Sequence, residues 1–144
     1  MAHLIHSVLP VPPRPIAFIS PDESVKKCVE EMTKRNIGAL VVLDAHKCLL
    51  GMVTERDIVR ACLDKGFSLE TTKASEIVFK DVTILSPHDQ VEKAMQAITD
   101  TKRRHVLIYD KKELIALLSI GDLLFHLLED KARVIEHLEQ YISM

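Results

Sequence analysis

The sequence predicts an α/β fold: two β-α-β-β-α repeats packed with pseudo-two-fold symmetry, plus a long C-terminal helix. Three observations lead there. Ile19-Ser20-Pro21-Asp22 returns 66 residues later as Leu85-Ser86-Pro87-His88, and Leu40-Val41-Val42-Leu43-Asp44 as Val106-Leu107-Ile108-Tyr109-Asp110. After the loss of one loop residue, Gly51 to Val59 matches Ala116 to Leu124 at an offset of 65. Within each copy, short apolar runs alternate with segments of helical spacing. Self-similarity of this kind marks a repeated supersecondary unit.

The elements follow in order. Residues 1–15 form an extended lead-in, and Leu9-Pro10-Val11-Pro12-Pro13-Arg14-Pro15 is too rich in proline for helix or central strand. The first repeat spans 16–66. Ile16 to Ile19 is its opening strand, and Ser20-Pro21-Asp22 a turn. Val25, Cys28, Val29 and Met32 keep helical spacing behind the N-cap candidate Ser24. Gly38 to Leu43 and Leu49 to Val53 read as strands around the polar turn Asp44-Ala45-His46-Lys47. Thr54 then caps a helix with Ile58, Val59, Cys62 and Leu63 inward, and Lys65-Gly66 ends it. A linker over 67–81 carries one turn of helix at Ala74-Ser75-Glu76-Ile77.

The second repeat, 82–128, runs the same way: Val82 to Leu85, a helix facing inward through Val91, Ala94, Met95 and Ile98, then strands Arg104 to Tyr109 and Leu114 to Leu118. Its last helix opens at Ser119 with Leu123, Leu124, Leu127 and Leu128 inward. It continues through 129–144, where Val134, Ile135, Leu138, Tyr141 and Ile142 extend the apolar stripe. A helix of that length reaches about 36 Å, and its outer half needs a surface. A homodimer contact supplies one; packing back on its own chain is the alternative.

Composition narrows the function. At roughly 55 residues each copy is marginal alone, so the two fold together, and a cleft between such copies suits a small ligand. Net charge is −2 and no long run of one sign occurs, which gives no ground for nucleic-acid binding. No stretch reaches the length of a membrane span, and the N-terminus lacks the pattern of a secretory signal. Cys28, Cys48 and Cys62 lack CxxC spacing and read as reduced thiols of a cytoplasmic protein, a redox role being the alternative. The seven histidines have no metal-ligand spacing. No P-loop, GxGxxG, GxSxG or assembled triad points to an enzyme.

Each copy ends its last strand with a hydroxyl, two residues and a carboxylate: Thr54-x-x-Asp57 and Ser119-x-x-Asp122. The exposed N–H groups of a helix start favour an anion such as phosphate, and an Asp one turn on can accept from the hydroxyls of a ribose. The same spacing is also a capping box. Gly121 sits in the first turn, where glycine costs stability but opens the backbone to a ligand; its counterpart Arg56 can fork onto phosphate. Lys102-Arg103-Arg104-His105 precedes the middle strand of copy two, opposite the uncharged Asn36-Ile37-Gly38-Ala39 of copy one. The two sites are therefore expected to differ, the second being the more basic.

Gly51-Met52-Val53-Thr54-Glu55-Arg56-Asp57 and Leu118-Ser119-Ile120-Gly121-Asp122 resemble the signature of cystathionine-β-synthase-like (CBS) domains. Ser20-Pro21-Asp22-Glu23-Ser24-Val25, Ile37-Gly38-Ala39-Leu40-Val41-Val42 and Arg103-Arg104-His105 are similar to its other blocks, and the tail from Glu136 to Ile142 to that of small stand-alone bacterial members. The resemblance implies a tandem pair, a Bateman module that commonly dimerises. It implies a regulatory ligand such as AMP, ADP, ATP, NAD or S-adenosylmethionine, no required cofactor, and signalling to a regulated enzyme or transporter. Asp57 and Asp122 would hold ribose, Thr54 and Ser119 ribose or phosphate, and Arg103, Arg104 and His105 phosphates. Adenine would lie near Ile16-Ala17 and Val82-Thr83. Ala116 stands where the signature has glycine. A ligand-free interaction scaffold and a nucleotide hydrolase are the rival functions.

Overall fold

The computed structural model describes the backbone of residues 3–143, and the side chains there except 133, 134, 137, 138 and 141–143. The chain divides into two compact units. One is Pro15–Val82; the other joins Met1–Arg14 to Thr83–Met144.

In the first of these, β1 (Phe18–Ile19), β2 (Ala39–Leu43) and β3 (Leu49–Thr54) form a sheet in that order, β1 parallel and β3 antiparallel to β2. The parallel pair is joined by α1 (Val25–Arg35), whose N-cap Ser24 accepts from the Lys27 N–H at 3.1 Å. Asn36 ends α1 in the left-handed conformation. Between β2 and β3, Asp44 Oδ1 accepts from the N–H groups of His46 and Cys48 at 2.8 and 2.9 Å, which closes the polar turn. α2 (Glu55–Asp64) leaves the end of β3, and α3 (Ala74–Ile77) follows as the single turn expected between the copies. Val25, Cys28, Met32, Leu40, Val42, Val53, Ile58 and Ala74 make one buried cluster.

The other unit repeats this plan with β4 (Ile84–Leu85), α4 (Val91–Thr101), β5 (His105–Asp110), β6 (Glu113–Ser119) and α5 (Ile120–Ser143). The residue lost between the copies lies in the β5–β6 connection, where Asp110 pairs with Glu113 across Lys111 and Lys112, both at positive φ. Val91, Ala94, Ile98, Val106, Ile108, Leu118 and Leu123 form its core together with Ile5.

Ile5 corrects the expectation of an extended lead-in. Residues Ile5–Val8 make a 3-10 turn, and Ile5 is completely buried. Val91 N–H donates to His3 C=O, Ile5 N–H to Asp89 C=O and His6 N–H to Pro87 C=O, at 2.8–2.9 Å. In the first repeat's unit, Val25 bonds Thr72, Ala74 bonds Glu23 and Ser75 bonds Pro21 in the same way, at 2.8–3.0 Å. Each sheet unit thus borrows a turn from the chain that precedes the other repeat. An apolar side chain at its start, Ile5 or Ala74, seals the core.

Two further expectations need correction. Val59 and Leu63 are 53% and 79% exposed, and Leu124 and Leu128 are 50% and 66% exposed, although all four were expected inward. A helix lying on one sheet buries a stripe only as wide as its contact. Ile58 and Ala61 of α2, and Leu123 of α5, fill it, while the residue one position on points about 100° away. Of the tail stripe, Ile135 is 55% exposed; Val134, Leu138, Tyr141 and Ile142 lie outside the described side chains. The opening strands are also shorter than expected, Ile16-Ala17 and Val82-Thr83 lying ahead of the paired residues.

Candidate functional site

In the unit 15–82, β3 hands over to α2 at Thr54. Thr54 N–H and Oγ1–H both donate to Asp57 Oδ2, at 3.0 and 2.9 Å, and Asp57 N–H donates back to Thr54 Oγ1 at 3.3 Å. This is a full capping box. β2 starts beside it: Ala39 pairs with Thr54, and Glu55 N–H donates to Gly38 C=O at 3.0 Å. The register therefore carries Asn36, Gly38 and Ala39 to the hydroxyl-x-x-Asp motif. On the far side of β2, Ala17 C=O accepts from Val41 N–H at 2.9 Å, so Ile16-Ala17 lies one strand further from Thr54. Arg56 is exposed in the first turn of α2.

The other unit has the same layout. Ser119 N–H and Oγ–H donate to Asp122 Oδ2 at 2.8 and 3.1 Å, and Asp122 N–H donates to Ser119 Oγ at 3.2 Å. His105 pairs with Ser119, and Ile120 N–H donates to Arg104 C=O at 2.8 Å. Lys102, Arg103, Arg104 and His105 thus stand where Asn36 to Ala39 stand in the first repeat. Thr83 C=O accepts from Leu107 N–H at 2.9 Å, with Val82 just ahead of it. Gly121 is exposed, and a methyl group there would touch only Ser119 Oγ, at 3.4 Å; packing does not demand a glycine.

Two side chains beyond those singled out from sequence shape these sites. Arg14 Nη2 donates to Asp122 Oδ2 at 2.8 Å across 108 residues of sequence. Burial works to raise the Asp122 carboxyl, but the hydrogen bonds from Arg14 and Ser119 outweigh it and hold it below the usual carboxylate range. Glu55 is the other. A side chain on residue 38 would meet its carboxyl carbon at 3.3 Å, so an acid overhangs the strand start where the second repeat carries Arg104. The alignment of Glu55 with Ile120 marked this asymmetry in the sequence; nothing local marked Arg14.

Gly51 has a structural role. Its φ is +150°, and a methyl group on it would lie 2.1 Å from Phe79 O. The Phe79 backbone crosses there and exchanges two hydrogen bonds with Met52, at 2.8 and 3.0 Å. Burial pushes the Cys28 thiol up to about 11, leaving it an inert core residue. Among the described residues, no group of three His, Cys, Asp or Glu side chains is placed to hold a metal ion, and no helix is long and apolar enough to cross a membrane.

The family described as CBS domain matches residues 8–64 and again 74–129. CBSX3, a mitochondrial CBS domain-containing protein of Arabidopsis thaliana, is 33% identical over 126 residues, which cover 85% of this chain and 61% of that protein. CBSCBSPB5 of the same plant is 32% identical over 122 residues, 83% of this chain and 22% of its own length. The chain therefore spans about three fifths of the first relative and about a fifth of the second. The crystal structure of the CBS-domain protein ATU1752 from Agrobacterium tumefaciens superposes with a TM-score of 0.79 at 29% identity, covering 86% of this chain and 92% of that one. With both matched segments falling on the two structural repeats, the chain belongs to the CBS domain family and carries the domain twice in tandem.

Proposed function

We propose that this tandem CBS pair is a regulatory module that binds adenine nucleotides (AMP, ADP, ATP or NAD) and signals their level to a partner protein. The observation that carries this is the doubled geometry. In both units a hydroxyl and an acid open a helix directly beside the start of the middle strand. Capping alone needs the hydroxyl and the acid but not the neighbouring strand start. At Asp122 capping and binding are also compatible, because the cap uses one carboxylate oxygen and a carboxylate has two. Asp57 and Asp122 would accept from ribose hydroxyls, and the basic segment 102–105 would face phosphates. With Glu55 over Gly38 in one site and Arg104 in the other, the second would favour polyphosphates. We read the module as signalling rather than catalytic, since the Thr54 and Ser119 hydroxyls that bond Asp57 and Asp122 serve the helix caps. The three free cysteines suit a reducing compartment such as the cytoplasm.

The same module would act as a homodimer. Val59 and Leu63 on α2 and Leu124 and Leu128 on α5 occupy equivalent positions of the two repeats and are all exposed, with Phe125 and Ile135 extending the α5 surface. Apolar surface repeated in this way suits a two-fold contact. Thermal unfolding against AMP, ATP, NAD and S-adenosylmethionine tests the nucleotide reading. A ligand at 100 times its dissociation constant would stabilise the protein by about 2.7 kcal/mol. An unmoved melting curve at millimolar concentrations of all four would favour the scaffold, and product formation from the same panel would favour an enzyme.

A further inference from the structure

Arg14 follows Pro10, Pro12 and Pro13 and immediately precedes Pro15, and it belongs to the same compact unit as Asp122. Prolines restrict the segment before it docks, which lowers the entropy lost in presenting Arg14. Its guanidinium is the third donor on Asp122 Oδ2, after the N–H and hydroxyl of Ser119. A carboxylate offers about two lone-pair sites per oxygen, so three donors saturate Oδ2. Every protein hydrogen bond to the Asp122 carboxylate among the described residues falls on that oxygen. Oδ1 is left for a ligand.

A cis-diol that grips both carboxylate oxygens must therefore displace a donor. The two from Ser119 belong to the turn that starts α5 and stay with it. Arg14 is the one that can leave, since its side chain is 54% exposed. The cost depends on what the guanidinium meets next. A neutral nucleoside would strand it without an anion, whereas a phosphorylated ligand brings an anion to which it can fork.

We infer that Arg14 is a specificity-determining residue of the second site: it exchanges Asp122 for the ligand's phosphate and so makes phosphorylation a condition of tight binding. This rests on the nucleotide reading above. It assigns to the lead-in segment a selectivity between nucleotide and nucleoside that the ribose-binding acid cannot supply alone.

Calorimetry with adenosine and with AMP on the full chain tests it, in an Asp57→Asn background that silences the first site. In Arg14→Gln, adenosine should bind about 1.5- to 5-fold more tightly, the worth of an exposed ion pair. AMP should bind about tenfold more weakly, from the loss of a charged hydrogen bond. Arg14→Lys keeps the charge without the fork and should fall between wild type and Gln. If both ligands bind and the AMP-to-adenosine ratio is the same in Arg14→Gln as with Arg14 present, Arg14 has no role in selection and the inference is overturned. If neither ligand binds the wild-type chain, the nucleotide reading itself fails and the inference falls with it.

Discussion

Replacing Gly51 by alanine tests how the linker is fastened to the first repeat. At φ +150° the backbone is in a region that L side chains seldom enter, and the new methyl would overlap Phe79 O at 2.1 Å and Val78 Cγ2 at 2.9 Å. Backbone atoms cannot swing away as a side-chain tip can, so the crossing strand must lift. Two hydrogen bonds between Met52 and Phe79 would go with it. At about 0.5–1.5 kcal/mol each they account for about 1–3 kcal/mol, and the strained φ adds about 1–3 kcal/mol. The expected loss is about 2–6 kcal/mol, a large part of the 5–15 kcal/mol typical of a folded protein. Urea unfolding followed by circular dichroism measures it, with the slope checked for unchanged two-state behaviour. Ala116→Gly is the control: Ala116 holds the equivalent place in β6 without a positive φ, so the change should cost only about 0.5–1 kcal/mol. A Gly51→Ala protein within 0.5 kcal/mol of wild type would show that the chain passes this point with room to spare, contrary to the argument.

Other perturbations reach the remaining parts of the account. Ile5→Ala should cost about 2–5 kcal/mol if the 3-10 turn belongs to the second core; a surface-like loss below 0.5 kcal/mol in urea unfolding would place it outside. Gly121→Ala should raise stability by up to about 1 kcal/mol while weakening nucleotide binding to the second site, and calorimetry beside thermal unfolding separates the two effects. The folded Asp122 carboxyl lies below its unfolded value, so its contribution is present above about pH 3.9 and is lost as pH falls through the folded value. Wild type should accordingly converge with Asp122→Asn on acidification, and a gap that persists would contradict the assignment. Glu at Val59 and Leu63, or at Leu124 and Leu128, should give a monomer where wild type sediments as a dimer at micromolar concentration; a wild-type monomer would remove the case for that surface.

Much of this molecule can be read from sequence because its determinants are local. The Ser24 and Thr54 caps and the apolar strands need only neighbouring residues, the repeat shows in the sequence by self-comparison, and all appear in the structure. The pairing of residues 3–6 with 87–91 could not be read. His3-Leu4-Ile5-His6 and Thr72-Lys73-Ala74-Ser75 do the same work through backbone hydrogen bonds, which leave no mark on side-chain identity. Arg14 on Asp122 is a contact of the same long-range kind. The inward reading of Val59, Leu63, Leu124 and Leu128 failed for another reason: apolar periodicity marks a helix's apolar face but not how wide a stripe of it the sheet covers. Of the candidate site, spacing revealed the hydroxyl-x-x-Asp pairs, and register brought the strand starts beside them.

The central claim is that Asp57 and Asp122 hold nucleotides, one in each repeat. Calorimetric titration of AMP into wild type, Asp57→Asn, Asp122→Asn and the double variant tests it most directly, since Asn keeps the side chain's shape and removes its charge. The account predicts two sites in wild type, one in each single variant and none in the double, with the site left by Asp57→Asn the more sensitive to salt. Undiminished binding in a folded double variant would contradict it.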